Sequence, residues 1–186
     1  MPLIFVETSN LFRNSSYQTI NLLPMANEQA PYVNMILLQW ELQNKRSEKL
    51  FAQISDEQFL LEVSSGKNTG RYLLGHLASV NDLLFNMLEL GEPMHPELEK
   101  PFVTTSDKSG QDMPSVAELR QYWSDITAKL TSLFRAMEPT DWFKKHSLVN
   151  AEDFAKEPHR NKLNVLLTRI IHQGYHLGQI ALLVKK

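Results

Sequence analysis

The chain carries the run Ile171-His172-Gln173-Gly174-Tyr175-His176-Leu177-Gly178-Gln179-Ile180. If this run is helical, its two histidines leave the same face about one turn apart, which is how a helix presents two imidazole nitrogens to one metal ion. Glutamine follows the first histidine, and this excludes the zinc-protease motif, which requires glutamate there as general base. The run therefore predicts a helix that carries two ligands of a metal site, and a third ligand must come from elsewhere.

The best candidate for the third ligand is His76. Apolar residues surround it at helical spacing and place it on an inward-facing stripe: Tyr72, Leu73, Val80 and Leu83. A histidine on such a stripe is either a hydrogen-bonded core residue or a ligand, and both interpretations remain open for His76 alone. Together, His76, His172 and His176 would form a metal site of the catalytic type, with open coordination positions.

The other three histidines have a different sequence context. His95 lies between two prolines, His146 follows two lysines and His159 follows a proline. We predict that all three are loop or surface residues.

Composition limits the class of protein. The chain has 186 residues, 42% of them hydrophobic, which suits one soluble domain with a real core. It has no cysteine, so disulfides, thiolate metal sites and an internal thiol nucleophile are excluded. The net charge of −2, with both signs interspersed, predicts no nucleic-acid partner. Without a membrane span or a signal-peptide core, we expect a cytoplasmic protein with no membrane partner.

Hydrophobic periodicity predicts four long helices. The first should span about Tyr32–Ile54 and the second about Thr69–Leu90, ended by Gly91 and Pro93. The third begins at the capping box Ser115-Val116-Ala117-Glu118. The fourth is capped by Asn161 and should run to Lys185 and Lys186, at the negative end of its dipole.

The helices occupy only part of the chain. We divide it into a poorly ordered N-terminal extension, residues 1–27, and a helical domain, residues 28–186. Met25 is an alternative translation start, which a measured mass would reveal. The proline-rich connection Gly91–Pro114 is long enough to be functional, for example as a lid over a site.

Four helices without a convincing strand predict an all-α four-helix bundle with a long loop between helices two and three. The loop lengths admit more than one topology. A di-iron carboxylate bundle is disfavoured because it needs Glu-x-x-His motifs on two helices. The only instance, Glu92 to His95, falls in a proline-containing loop.

The Gly75-His76-Leu77 element and the His-x-x-x-His-x-Gly-Gln-Ile element that starts at His172 resemble the DinB-like (DinB/YfiT) superfamily over about residues 32–184. The resemblance implies a four-helix bundle, commonly dimeric, that holds a divalent metal such as nickel, zinc or iron with three histidines. Carried onto this sequence, the ligands are His76, His172 and His176. Members of known activity include S-transferases and isomerases that use a low-molecular-weight thiol, and some hydrolases.

The chemistry of three imidazoles points the same way. Neutral ligands leave a divalent ion its full charge. Such an ion lowers the pKa of a bound water to about 7 and deprotonates a bound thiol. We therefore expect metal-activated nucleophilic attack on a small electrophile. Together with the resemblance, this implies a metal-dependent thiol S-transferase or hydrolase that acts on a small molecule. The alternative is a non-catalytic bundle that serves protein interaction and uses metal only for stability.

Weaker predictions concern residues near the histidines. Gln179 and Asn44 are candidates for contact with a bound water or ligand, or else polar residues at helix edges. Ser47 and Asn44 interrupt the first apolar stripe, as solvated positions or as the lining of a polar pocket. Gly174 and Gly178 suggest close approach of another helix, within the bundle or across a homodimer.

Overall fold

The computed structural model describes residues 26–184. The predicted extension up to residue 25, and Lys185 and Lys186, lie outside these residues. The described part has no strand, only two isolated bridges, and none of its helices is long and apolar enough to cross a membrane. Its α-helices are α1 (Ala26–Phe51), α2 (Asp56–Phe59), α3 (Gly70–Asp82), α4 (Leu84–Met87), α5 (Val116–Ala136), α6 (Ala151–Lys156) and α7 (Lys162–Ile180). The all-α prediction is confirmed.

The four long helices form a bundle around one hydrophobic core. Helix α3 packs mainly against α5, and α1 packs mainly against α7, while contacts of α3 with α7 and of α1 with α5 close the ring. Three tryptophans, Trp40, Trp123 and Trp142, are fully buried in this core. Helix α3 is buried along most of its length, so a polar side chain on it must face a partner or a cavity.

Side-chain caps fix where the helices begin. Ser115 and Glu118 form the predicted capping box, and Asn161 accepts a hydrogen bond from the Asn164 N–H at the start of α7. Helix α3 begins after Thr69, whose hydroxyl accepts from the Tyr72 N–H. These caps set the register in which the histidine-bearing helices enter the bundle.

Several helix ends differ from the predictions. Helix α1 begins at Ala26, six residues before Tyr32, because Pro31 near its start is accommodated without ending the helix. The predicted second helix is interrupted at Leu83 and ends at Met87, where Glu89 rather than a glycine adopts positive φ (59°). The fourth helix ends at Ile180 and continues as a short 3₁₀ turn.

The long connection after α4 is irregular, as predicted, and it is anchored to α3. The buried carboxylate of Asp82 accepts hydrogen bonds from the N–H groups of Met94 (2.8 Å) and His95 (2.7 Å). A π-helical turn, Lys100–Thr104, then buries Phe102 against α3. The Tyr72 hydroxyl donates to the Thr105 carbonyl at 2.7 Å. These contacts hold one backbone carbonyl of the turn beside His76.

The first turn of α7 is fastened to the end of α4. The buried ammonium of Lys162 donates to the Leu88 carbonyl at 2.8 Å and pairs with Glu89 at 2.7 Å. Backbone bonds join Lys162 to Lys144 and Ser147 to Met87. The segment that contains His146 is thereby held next to the face of α7 on which His172 lies.

Candidate metal centre

The three predicted histidines converge between α3 and α7. The Nε2 atom of His172 lies 3.2 Å from Nε2 of His76 and 3.0 Å from Nε2 of His176. One ring nitrogen from each of the three lies within 4.8 Å of the others. The rings meet edge to face and are half-buried. Three imidazole nitrogens thus face one point.

Contacts at the other ring nitrogen orient two of these imidazoles. Nδ1 of His76 lies 2.8 Å from the Phe102 carbonyl, and Nδ1 of His176 lies 2.7 Å from Oε1 of Gln179. Both oxygens accept, so each Nδ1 carries the hydrogen and each Nε2 keeps its lone pair. Nε2 of His172 faces the unprotonated Nε2 atoms of both His76 and His176. A single hydrogen on Nε2 of His172 can bridge only one of these two nitrogen pairs. At least one of the two pairs therefore has no hydrogen bond between its nitrogens.

The electrostatic environment keeps the imidazoles neutral. Burial lowers the pKa of His76, His172 and His176 below the ordinary value of 6.5, and for His172 to about 4. Positive charge on the neighbouring imidazoles and on Arg169 adds to the effect of burial at His172. The site therefore offers unprotonated nitrogens at neutral pH, which is the form that binds metal.

These distances suit a divalent transition metal. Zinc–nitrogen bonds of about 2.0–2.1 Å at a tetrahedral angle place two ligand nitrogens about 3.3 Å apart, close to the separations of 3.0 and 3.2 Å. A bound cation would also remove the repulsion between facing lone pairs. The triad can hold a metal ion, and its donor set suits zinc, nickel, copper and iron alike.

A cavity of about 410 Å³ reaches His172 from the side of α4. Its volume is in the range of small-molecule sites. It is lined by Met87, His146, Arg160, Asn161, Asn164, Val165, Thr168, Arg169 and His172. A ligand in this cavity could therefore contact the triad.

Comparison with protein families places the chain in a known group. The model of the DinB superfamily matches residues 39–180 of the chain, and this range includes all three histidines. The chain belongs to the DinB superfamily. A comparison with curated proteins found no significant match.

The two weaker site candidates lie in different surroundings within this DinB-family bundle. Gln179 contacts His176, so it lies beside the triad, and its contact with a bound ligand stays a prediction. Asn44 accepts a hydrogen bond at 3.0 Å from the buried Gln173, which also donates to Ser47 at 2.8 Å. The interpretation of Asn44 and Ser47 as solvated is wrong, because both are buried and join α1 to α7.

Neither Gly174 nor Gly178 of α7 lies against the backbone of another helix. A Cβ on Gly174 would meet only the side-chain amide of Gln43, at 3.5 Å, and one on Gly178 would meet nothing within 4 Å. The expected helix contact within the bundle is therefore wrong for Gly178. Gly75, next to His76, is more crowded than either, because a Cβ there would clash with the Phe102 ring.

The three remaining histidines all lie outside regular helices, as predicted, but only His159 is exposed. His95 is half-buried and stacks on Tyr122 with ring centroids 4.0 Å apart. His146 is half-buried and lines the cavity beside His172, where burial lowers its pKa. A lysine-rich sequence context gave no signal for this placement.

Sequence reasoning also missed Arg169 and the Phe102 carbonyl. Arg169 precedes His172 by three residues, a spacing that places both side chains on one helix face and could have identified it. The carbonyl carried no such signal, because any residue supplies one.

Proposed function

We propose that this DinB-family protein is a divalent-metal-dependent enzyme that transfers a low-molecular-weight thiol to a small electrophile or hydrolyses a small molecule. The observation that carries the proposal is the convergence of three neutral imidazole nitrogens next to a ligand-sized cavity. His76, His172 and His176 would hold the ion. When bound, it would supply a Lewis acid that lowers the pKa of a coordinated thiol or water.

Residues of the chain orient the imidazoles. The Phe102 carbonyl and Gln179 fix two of the rings, and such support raises ligand basicity. Because the chain has no cysteine, a thiol nucleophile must come from outside the chain. A cytoplasmic location would suit the thiol reaction, because thiols are kept reduced there, and cell fractionation tests it.

Metal content is the first test. The parent should contain about one zinc, nickel or iron ion per chain, and the double variant His172→Ala, His176→Ala should contain none. The control His159→Ala, which alters an exposed histidine, should contain as much metal as the parent. The fold should survive in both variants, as judged by circular dichroism. A parent that stays metal-free after reconstitution with each of the three metals would contradict the proposal.

A second test examines catalysis. In cobalt-substituted protein, a small thiol should produce a thiolate-to-cobalt charge-transfer band, and thiol addition to a model aryl chloride should release chloride. The non-catalytic alternative predicts a lower melting temperature on metal removal, but no spectral change with saturating thiol. The cavity at His172 favours the enzyme, because a purely stabilising metal needs no access for a ligand.

We also propose a homodimer formed through one apolar face of α1 and α7. These two helices pack side by side and leave large apolar side chains exposed: Tyr32, Met35, Leu38 and Leu42 on α1, Leu167, Ile171 and Tyr175 on α7, and Leu182 on the 3₁₀ turn that follows α7. Such a patch is typical of an association surface. Sedimentation should give a dimer for the parent and for the control Leu148→Glu, an exposed loop position, but a monomer for Ile171→Glu.

A further inference from the structure

The cavity beside the histidine triad has a marked charge asymmetry. Its lining includes two guanidinium groups, Arg160 and Arg169, and two imidazoles, but no carboxylate. Burial lowers the pKa of His146 and His172, so both imidazoles are neutral at pH 7. The cavity therefore carries net positive charge, even before any metal is counted.

Arg169 differs from other arginines of the described chain in its partners. Arg120 donates to two carbonyls and pairs with Asp56, Arg135 pairs with Glu41, and Arg160 pairs with Glu157. In contrast, the buried Nε of Arg169, like that of Arg71, has no hydrogen-bond partner among the described residues, and of these two arginines only Arg169 lines the cavity at the triad. Burial lowers the pKa of Arg169 to about 10, so the group stays protonated at neutral pH. A partly buried cation whose Nε lacks a partner is costly, and an anionic ligand would lower that cost.

The position of Arg169 links it to the metal centre. Arg169 and His172 are three residues apart on α7 and line the same cavity, so a short molecule can reach both. A planar guanidinium is suited to bind carboxylate or phosphate oxygens in pairs.

We infer that Arg169 binds an oxyanion, a carboxylate or phosphate, of the small molecule whose reacting atom lies at the histidine triad. This inference rests on the proposed function and specifies its substrate class: the electrophile or the thiol is an anionic molecule. Arg160, already paired with Glu157, adds positive potential from the same cavity wall.

The test compares two thiols that differ in one group. Cobalt-substituted protein is titrated with 3-mercaptopropionate and with 3-mercapto-1-propanol, and the thiolate charge-transfer band gives each dissociation constant. We expect the parent to bind the carboxylate thiol about 10- to 100-fold more tightly, the range for hydrogen bonds to charged groups. Arg169→Gln should bind both thiols equally, and Arg169→Lys should retain part of the preference. Arg46→Gln, which removes an exposed charge on α1, should keep it in full. An unchanged preference in Arg169→Gln would overturn the inference, because the carboxylate would then bind elsewhere.

A metal-independent measurement separates the two proposals. In metal-free protein, the Nε–H resonance of Arg169, assigned by its loss in Arg169→Lys, is followed by NMR during titration with sodium propionate and with inorganic phosphate at constant ionic strength. A shift with either anion supports the anion site and tells which oxyanion it prefers, and no shift with both overturns it. A shift without any cobalt–thiolate band would leave the anion site standing while the proposed enzyme fails. A cobalt–thiolate band with no preference for the carboxylate thiol and no shift of the Arg169 resonance would support the proposed enzyme and overturn the anion site.

Discussion

Replacing Gly75 with alanine tests how the packing of the π-helical turn supports the metal centre. A Cβ at residue 75 would lie within 3.0 Å of three ring carbons of Phe102, whereas carbon atoms pack best at about 3.5–4.0 Å. Phe102 is fully buried, so its ring cannot rotate into solvent and must shift by about 1 Å with its backbone. That backbone includes the carbonyl that accepts from Nδ1 of His76.

Two free-energy terms set the magnitude for Gly75→Ala. Overpacking a tight core position costs about 1–3 kcal/mol, and alanine regains about 1 kcal/mol over glycine within a helix. The closeness of three Phe102 ring carbons places the overpacking cost at the upper end of its range. The net loss should therefore be about 2 kcal/mol, which lowers the melting temperature of a chain of this size by about 4–8 °C. Loss of the carbonyl contact should also weaken zinc binding about 10- to 100-fold.

Differential scanning calorimetry and a zinc competition titration measure both effects. Gly178→Ala is the matched control: it also lies in a helix, its new Cβ meets nothing within 4 Å, and it should raise the melting temperature by about 2–4 °C. Combining Gly75→Ala with Phe102→Leu should cost less than the sum of the single changes. If Gly75→Ala melts at or above the parent and binds zinc equally well, the link from Gly75 through Phe102 to His76 is wrong.

Three further predictions concern polar groups. Gln173→Met removes hydrogen bonds to two buried side chains of α1 and should lower the free energy of unfolding by about 1–3 kcal/mol in urea, while the exposed control Gln39→Met should be nearly neutral. Gln179→Leu should weaken zinc binding about 10-fold or more, as measured by fluorescence competition. Gln179→Glu should bind zinc as tightly as the parent or more tightly, because a carboxylate also accepts a hydrogen bond from a ligating imidazole. Folding lowers the pKa of His172 from 6.5 to about 4, so between these pH values the unfolded chain binds more protons than the folded one. The metal-free protein should therefore lose stability as pH falls from about 6.5 to about 4. A urea midpoint that does not change over that range would contradict this.

Local sequence signals predicted most of the bundle. Ser115 and Glu118 form their capping box through neighbouring residues alone, and Asn161 caps α7 in the same way. The histidine spacing of α7 likewise determines that His172 and His176 share a face. These predictions were confirmed because the interactions span only three or four residues.

Predictions that depended on tertiary packing were less successful. Asn44 and Ser47 interrupt an apolar stripe, and only the position of Gln173 on a distant helix makes them a buried cluster. The end of the second helix was predicted at about Leu90, from the stop signals Gly91 and Pro93. It ends earlier because Lys162 of α7 binds the Leu88 carbonyl and Glu89 there. Such long-range contacts override local propensity.

The connection from Gly91 to Pro114 was predicted as a lid, and its contacts limit how it could act as one. Opening the turn around Phe102 would expose a fully buried ring, at a cost of about 1.5–3 kcal/mol, and would break the hydrogen bond that orients His76. Movement there would weaken the metal centre at the moment a ligand enters. A lid motion compatible with the bound metal must therefore leave the Asp82 and Phe102 anchors in place. The connection is held again further on, because Asp107 accepts a hydrogen bond from the Thr69 N–H and Lys108 pairs with Glu62. We therefore expect lid motion to be confined to the exposed residues around Ser109 and Gly110, beyond these contacts.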